Sequence, residues 1–209
     1  MIRMEVDHRL LPAPHDLLDG PYVVRVTGFD DLACVRFRRQ LHRAVDAQQE
    51  YIPVVIDTNG GNVYGLFGMM DELDVARRHA KVATIAIGCA LSAGADLLAA
   101  GDKGLRFVSP TATVMIHDLA DDPAGGKIAE LRTSLAENSR LHEMSFDRLA
   151  KNCGKPRSYF RDLVHSKNHG DIYLTPKQCV KHGIADHVGI PELTVNVTVE
   201  TKFGLPARK

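Results

Sequence analysis

The stretch Val82–Ala100, VATIAIGCALSAGADLLAA, constrains this chain more than any other. It is the longest apolar run, so it belongs inside, yet Ser92, Gly94 and Asp96 make it too polar and too interrupted to span a membrane. It reads as two elements: a strand over Val82–Ile87 and a helix of very small residues over Gly88–Ala100. A strand that is apolar on both faces needs cover on both sides, which points to a parallel sheet flanked by helices.

The neighbouring segments repeat that cycle. Pro21–Gly28 (PYVVRVTG) alternates and is rich in valine, a strand ending at glycine. Asp30-Asp31 opens a run with Leu32, Val35, Phe37, Leu41 and Val45 at helical spacing. Ile52–Asp57 (IPVVID) is a second covered strand, followed by the glycine turn Thr58–Asn62 and a helical pattern over Val63–His79, with Leu66, Met69, Met70, Leu73 and Val75 inward. Leu105–Val108 and Ala112–Ile116 are short strands, and Lys127–Asn152 is a long amphipathic helix. Asp171–Leu174 and Ala185–Ile190 flank a short helix opened by Thr175-Pro176, a cap followed by proline at the first helical position. Strands alternating with helices predict an α/β fold. Residues 1–20 carry no sustained period and read as an N-terminal arm; residues 21–209 read as a single domain.

Composition narrows the function. Lys plus Arg and Asp plus Glu each number 26. With no basic field, nucleic acid is excluded as the expected partner, and no segment calls for a membrane. The charged N-terminus lacks a secretory apolar run, which places the chain in the cytoplasm. Cys34, Cys89, Cys153 and Cys179 are scattered, without a C-x-x-C pair or a histidine at zinc spacing, so four reduced thiols and no metal are expected.

Three places stand out from scaffold. Ser92 lies at a strand-to-helix junction among small neighbours, where a hydroxyl sits at the mouth of the sheet and the helix N-terminus faces any anion formed. Read alone, it is more readily a helix cap. His117 follows the strand Ala112–Ile116, at the carboxyl edge where parallel sheets place their sites. The turn Thr58–Asn62 (TNGGN) can present free amides, although such turns are common. Together they supply a nucleophile, a base and oxyanion donors; a carboxylate must come from Asp118 or from later in the chain.

The order of a Gly-Gly turn, Gly88–Ala95 (GCALSAGA), the stretch from Leu97 to Phe107 (LLAAGDKGLRF) and Met115-Ile116-His117 resembles the Clp protease proteolytic-subunit (ClpP) family. The interval from Ser92 to His117 matches that family's, and the similarity runs from about Val24 to about Val188. The resemblance implies a ClpP/crotonase-like spiral of β-β-α units with a protruding handle at about residues 124–165. It implies a serine endopeptidase without cofactor or metal, in which Ser92 is the nucleophile and His117 the base. It further implies an oxyanion hole made by the backbone amides of Gly61 and Ala93. The family's acid precedes an aromatic-Leu-Thr segment, read here as Asp171 before Ile172-Tyr173-Leu174-Thr175, with a slightly longer stretch (Ser166–Gly170) ahead of it. Asp118 is the rival, but a carboxylate adjacent to His117 points to the other side of an extended strand; Asp162 and Asp186 are lesser rivals. The resemblance further implies peptide or unfolded-protein substrates, a homo-oligomer of stacked heptameric rings and an AAA+ unfoldase as feeder.

The sequence also departs from the family. Thr58-Asn59 replaces Ser-Pro, Ala93 replaces methionine, Asp118-Leu119 replaces Gln-Pro, and residues 1–20 are unlike the axial-gate segment. Two other readings compete: a crotonase-type acyl-CoA enzyme, which needs only the two amides, and an inactive ring-forming paralogue. An α/β-hydrolase fits less well, because its triad runs Ser, acid, His and the order here is Ser, His, acid.

Overall fold

A computed structural model describes residues 2–4, 21–120, 127–192 and 197–199. The rest of the expected arm, the start of the handle at 124–126 and the end of the chain lie outside the described residues. Strand β1 (Ile2–Met4) pairs in parallel with β9 (Val197–Val199), Ile2 opposite Val197, and these form a small unit by themselves.

Residues Tyr22–Pro191 form the other unit, a mixed α/β structure built as the alternation of periods predicts. In chain order it contains β2 (Val24–Val26), α1 (Asp31–Asp46), β3 (Tyr51–Thr58), α2 (Val63–Ala76), β4 (Lys81–Leu91), α3 (Ala93–Ala99), β5 (Arg106–Val108) and β6 (Thr113–Ile116). Then follow α4 (Ile128–Asn152), α5 (Tyr159–His165), β7 (Ile172–Leu174), α6 (Pro176–His182) and β8 (His187–Val188). Helix starts are locally encoded. Asp30 caps α1 by accepting from the Ala33 amide, Asn62 caps α2, and Thr175 with Gln178 makes a capping box on α6.

The main sheet runs β2-β3-β4-β5-β8, all in parallel, and β6 and β7 branch from it. The branch comes from β4, which is one long strand where a helix was expected from Gly88. Its first half pairs with β5 (Ala86 opposite Val108), and its last residues pair with β6 (Leu91 opposite Met115). Gly88 is the pivot: its φ is +59°, and an added Cβ would stand 2.5 Å from Asp57 Oδ1. The ladder with β3 also shifts register between Ile56 and Thr58. Edge pairing with β6 thus holds Cys89–Leu91 extended against its small-residue composition, and α3 begins only at Ala93.

The core lies between this sheet and the helices, with Phe29, Phe37, Leu41, Met70, Leu73 and Phe160 fully enclosed. Two helix faces are set differently from their sequence pattern. Leu32 and Val35 on α1 and Val75 on α2 are exposed, while Ala76 turns inward. Helix α5 was not expected; Phe160 and Val164 bury its inner face. Arg106, 3% exposed, pairs with Asp186 at 2.5 Å and donates to the carbonyls of Asn152 and Gly183, binding the ends of α4 and α6 to β5. No helix among the described residues is long and apolar enough to cross a membrane.

Candidate active site

The carboxyl ends of β3, β4 and β6 lie side by side because the three strands are parallel. Each end delivers one of the groups singled out above: the glycine turn, Ser92 and His117. Ser92 adopts φ 54°, ψ −121°, a conformation that costs a non-glycine residue on the order of 1–3 kcal/mol and persists only where its surroundings enforce it. Its amide is anchored to the Met115 carbonyl at 2.8 Å. Its hydroxyl does not cap α3; it meets His117 Nε2 at 2.7 Å. The capping explanation of this serine is thereby removed.

The position of Asp171 follows from strand register. β7 runs antiparallel to β6 with Ile116 opposite Ile172, so the residue after β6, His117, comes opposite the residue before β7, Asp171. Asp171 Oδ1 stands 3.7 Å from His117 Nδ1, and about half of the aspartate side chain is exposed. That separation is an ion-pair distance rather than a hydrogen bond, and such contacts often tighten only when substrate binds. Asp118 points the other way, as alternation along a strand requires. Its Oδ2 lies 2.6 Å from His169 Nδ1 and its Oδ1 lies 3.2 Å from His142 Nε2. Asp162 is exposed on α5, and Asp186 is committed to Arg106.

The glycine turn abuts the serine closely. Gly60 has φ +97°, and a Cβ there would come within 2.8 Å of both the Leu91 carbonyl oxygen and Ser92 Cβ. Gly61 and Ala93 line one cavity of about 40 Å³ with Ser92 and His117. Ala93 opens α3, so its N–H has no partner within the helix and is free to meet an anion.

Three further groups in that cavity escaped the sequence reading: Asp96, His142 and Ser145. Burial pushes the Asp96 carboxyl from 3.8 up to about 7, against the opposing effect of a hydrogen bond donated by Ser145 Oγ. A lone carboxylate one turn after Ser92, in a helix otherwise made of alanine, glycine and leucine, was the available signal. His142 and Ser145 come from α4, and only the packing of α4 on α3 brings them near.

A serine hydroxyl bonded to an imidazole, with a carboxylate beyond the second ring nitrogen and helix-end amides nearby, can carry out nucleophilic acyl transfer. On this α/β scaffold it defines a Ser-His-Asp constellation at the edge of a branched parallel sheet. The chain belongs to the Clp protease family, whose sequence model matches residues 23–192. It is 33% identical over 137 residues to the ATP-dependent Clp protease proteolytic subunit 1 of Rhodococcus jostii, a match that covers 66% of this chain and 60% of that one. It is 32% identical over 146 residues to the chloroplastic proteolytic subunit 3 of Arabidopsis thaliana, covering 69% and 44%. With the subunit of Deinococcus radiodurans it shares 31% over 143 residues, covering 67% and 65%. The chain thus spans less than two thirds of the length of these relatives.

Proposed function

We propose that this chain is a serine endopeptidase that cleaves short or unfolded polypeptides with Ser92, His117 and Asp171. The carrying observation is the 2.7 Å contact between Ser92 Oγ and His117 Nε2, made by a serine whose strained backbone turns its hydroxyl away from the cap of α3. His117 takes the hydroxyl proton as Oγ attacks the peptide carbonyl, and returns it to the leaving amine. Asp171 accepts from Nδ1–H, which holds the tautomer and steadies the imidazolium. The amides of Gly61 and Ala93 meet the developing oxyanion. A crotonase-type reaction needs only those amides and leaves the Ser92–His117 bond without a purpose.

The relatives' names support proteolysis, and "ATP-dependent" in those names supports an ATP-consuming unfoldase as a separate feeder chain. The reading includes a ring of subunits, in stacked sevens as the family resemblance implies. It is favoured by Ile128 and Leu135, 72% and 68% exposed on the first half of α4. It also places the protein in the cytoplasm, which suits four unpaired thiols. A fluorophosphonate probe tests the core of the proposal. It should label the wild-type chain at Ser92 and should fail on Ser92→Ala and on His117→Ala. An unlabelled wild-type chain, or full peptide turnover by Ser92→Ala, would end the peptidase reading.

A further inference from the structure

Beside the triad, two residues past the end of β6, one carboxylate lies among imidazoles. Asp118 follows His117 directly and presents Oδ2 to His169 Nδ1 at 2.6 Å. The His165 ring lies 4.3 Å from the His169 ring, and the donor atoms of Asp118, His165 and His169 all fall within 4.8 Å of one another. The backbone builds this cluster. Helix α5 ends at His165, and the chain then turns sharply through Asn168 and His169, whose φ angles are +55° and +59°. That turn, tied by the His169 amide to the Val164 carbonyl at 3.2 Å, brings the second histidine back beside the first. Left-handed backbone at two successive non-glycine residues is unfavourable, so the turn is held in place rather than drifting.

A second observation is independent of these three residues. Asp118 Oδ1 and His142 Nε2 are buried atoms 3.2 Å apart, yet neither has a hydrogen-bond partner among the described residues, because they are misaligned. A carboxylate with one oxygen orphaned and the other bonded to His169 alone is half-satisfied by protein.

We propose that Asp118, His165 and His169 form a site for a divalent transition-metal cation of the zinc class. Two imidazole nitrogens and one carboxylate oxygen are the donor set that borderline-soft cations take, and it is a poor one for calcium or magnesium, which take oxygen. Ligand atoms on a tetrahedral zinc ion lie about 3.3 Å apart, so separations within 4.8 Å close by no more than about 1.5 Å and the 2.6 Å Asp118–His169 contact opens by about 0.7 Å, both within reach of exposed rings turning on their side-chain bonds. His142 aligns with Oδ1 once the carboxylate is fixed, orienting the ligand from behind while itself forming part of the cavity wall beside Ser92. Three protein ligands leave the fourth position to water.

The position of the site matters as much as its chemistry. Asp118 is the residue after His117, and His169 is two residues before Asp171. A bound cation therefore ties the segment carrying the base to the segment carrying the acid, across the 3.7 Å gap between His117 and Asp171. Metal binding itself stands apart from the peptidase reading; only its bearing on catalysis rests on it.

The test is a titration of the full chain with Co²⁺, followed by visible absorption and displacement with Zn²⁺. One tightly held Co²⁺ per chain with tetrahedral bands is expected. His165→Ala and His169→Ala, both at exposed positions, should abolish the saturable bands with circular dichroism unchanged, and His142→Ala should weaken binding by about 10- to 100-fold. Ser92→Ala should bind as wild type does, which separates failure of this site from failure of the peptidase reading. Zn²⁺ should also slow amide hydrogen exchange in residues 117–120 and 165–171. Cobalt binding that is absent, or equally tight in the His165→Ala/His169→Ala double variant, overturns the site; unchanged exchange in both segments with metal bound overturns the tether.

Discussion

At the residue scale, the two carboxylates nearest His117 have opposite neighbours. Asp171 faces the ring nitrogen that Ser92 leaves free, whereas Asp118 is turned toward His142 and His169. In chelator-treated protein, Asp171→Asn should lower peptide turnover by roughly 10⁴-fold through a mis-set tautomer. Asp118→Asn should cost far less under the same assay, and the reverse order would transfer the acid role to Asp118. Asp96 gives a second prediction, this time about stability. Its folded pKa of about 7 lies above the ordinary 3.8, so the folded chain holds a proton that the unfolded chain has released. The resulting stability is fully present below about pH 4 and is lost as pH rises toward 7 and beyond. Replacement by Asn keeps the side chain neutral at every pH. Denaturant melts should show Asp96→Asn ahead of wild type at pH 8 by about 1–3 kcal/mol, with that gap shrinking at pH 5. A gap independent of pH would mean that Asp96 is ionised throughout.

Elements dock here through a few polar ties as well as apolar faces. Arg106 is the clearest case. It leaves β5 to pair with Asp186, and it also donates to the last residue of α4 and to the residue that ends α6. Removing one partner of such a buried pair leaves the other charge uncompensated, so Arg106→Ala should destabilise by about 3–5 kcal/mol. Asp186→Ala should cost a similar amount, and the double variant should cost less than the sum. Additive losses in that cycle would deny the tie. Helix α4 divides into two regimes. Leu141, Phe146, Leu149 and Ala150 are buried against the sheet unit, while Ile128 and Leu135 stand in the open. The second half of the helix is core and supplies the cavity wall; the first half is surface.

For the whole molecule, that open half of α4 bears on assembly. Exposed isoleucine and leucine one turn or more apart on one helix are costly to hydrate, and a second subunit is the occupant that the proposed ring supplies. Sedimentation should show wild type as a large species and Ile128→Asp/Leu135→Asp as a much smaller one, with helix content retained. A monomeric wild-type chain at micromolar concentration would remove the ring from the proposal.

The alternation of strand and helix, the sites of the helix caps and the co-ordered Gly-Gly, Ser92 and His117 were all legible along the chain, because each depends on local periodicity or turn chemistry. Asp171 was legible only through resemblance: the role proposed for it depends on its being the residue beside β7 that falls opposite His117, a matter of antiparallel register and not of composition. Other features had no local signature at all. Cys89–Leu91 is strand because β6 is there to pair with it, overriding residues that suit a helix. Asp96, His142 and Ser145 share a cavity because α4 crosses α3, and the sequence, read for metal, pointed to none because His165, His169 and Asp118 meet only through a left-handed turn and a strand edge. Short-range chemistry is written in neighbouring residues, whereas contacts between distant segments exist only once strand pairing and burial have chosen the register.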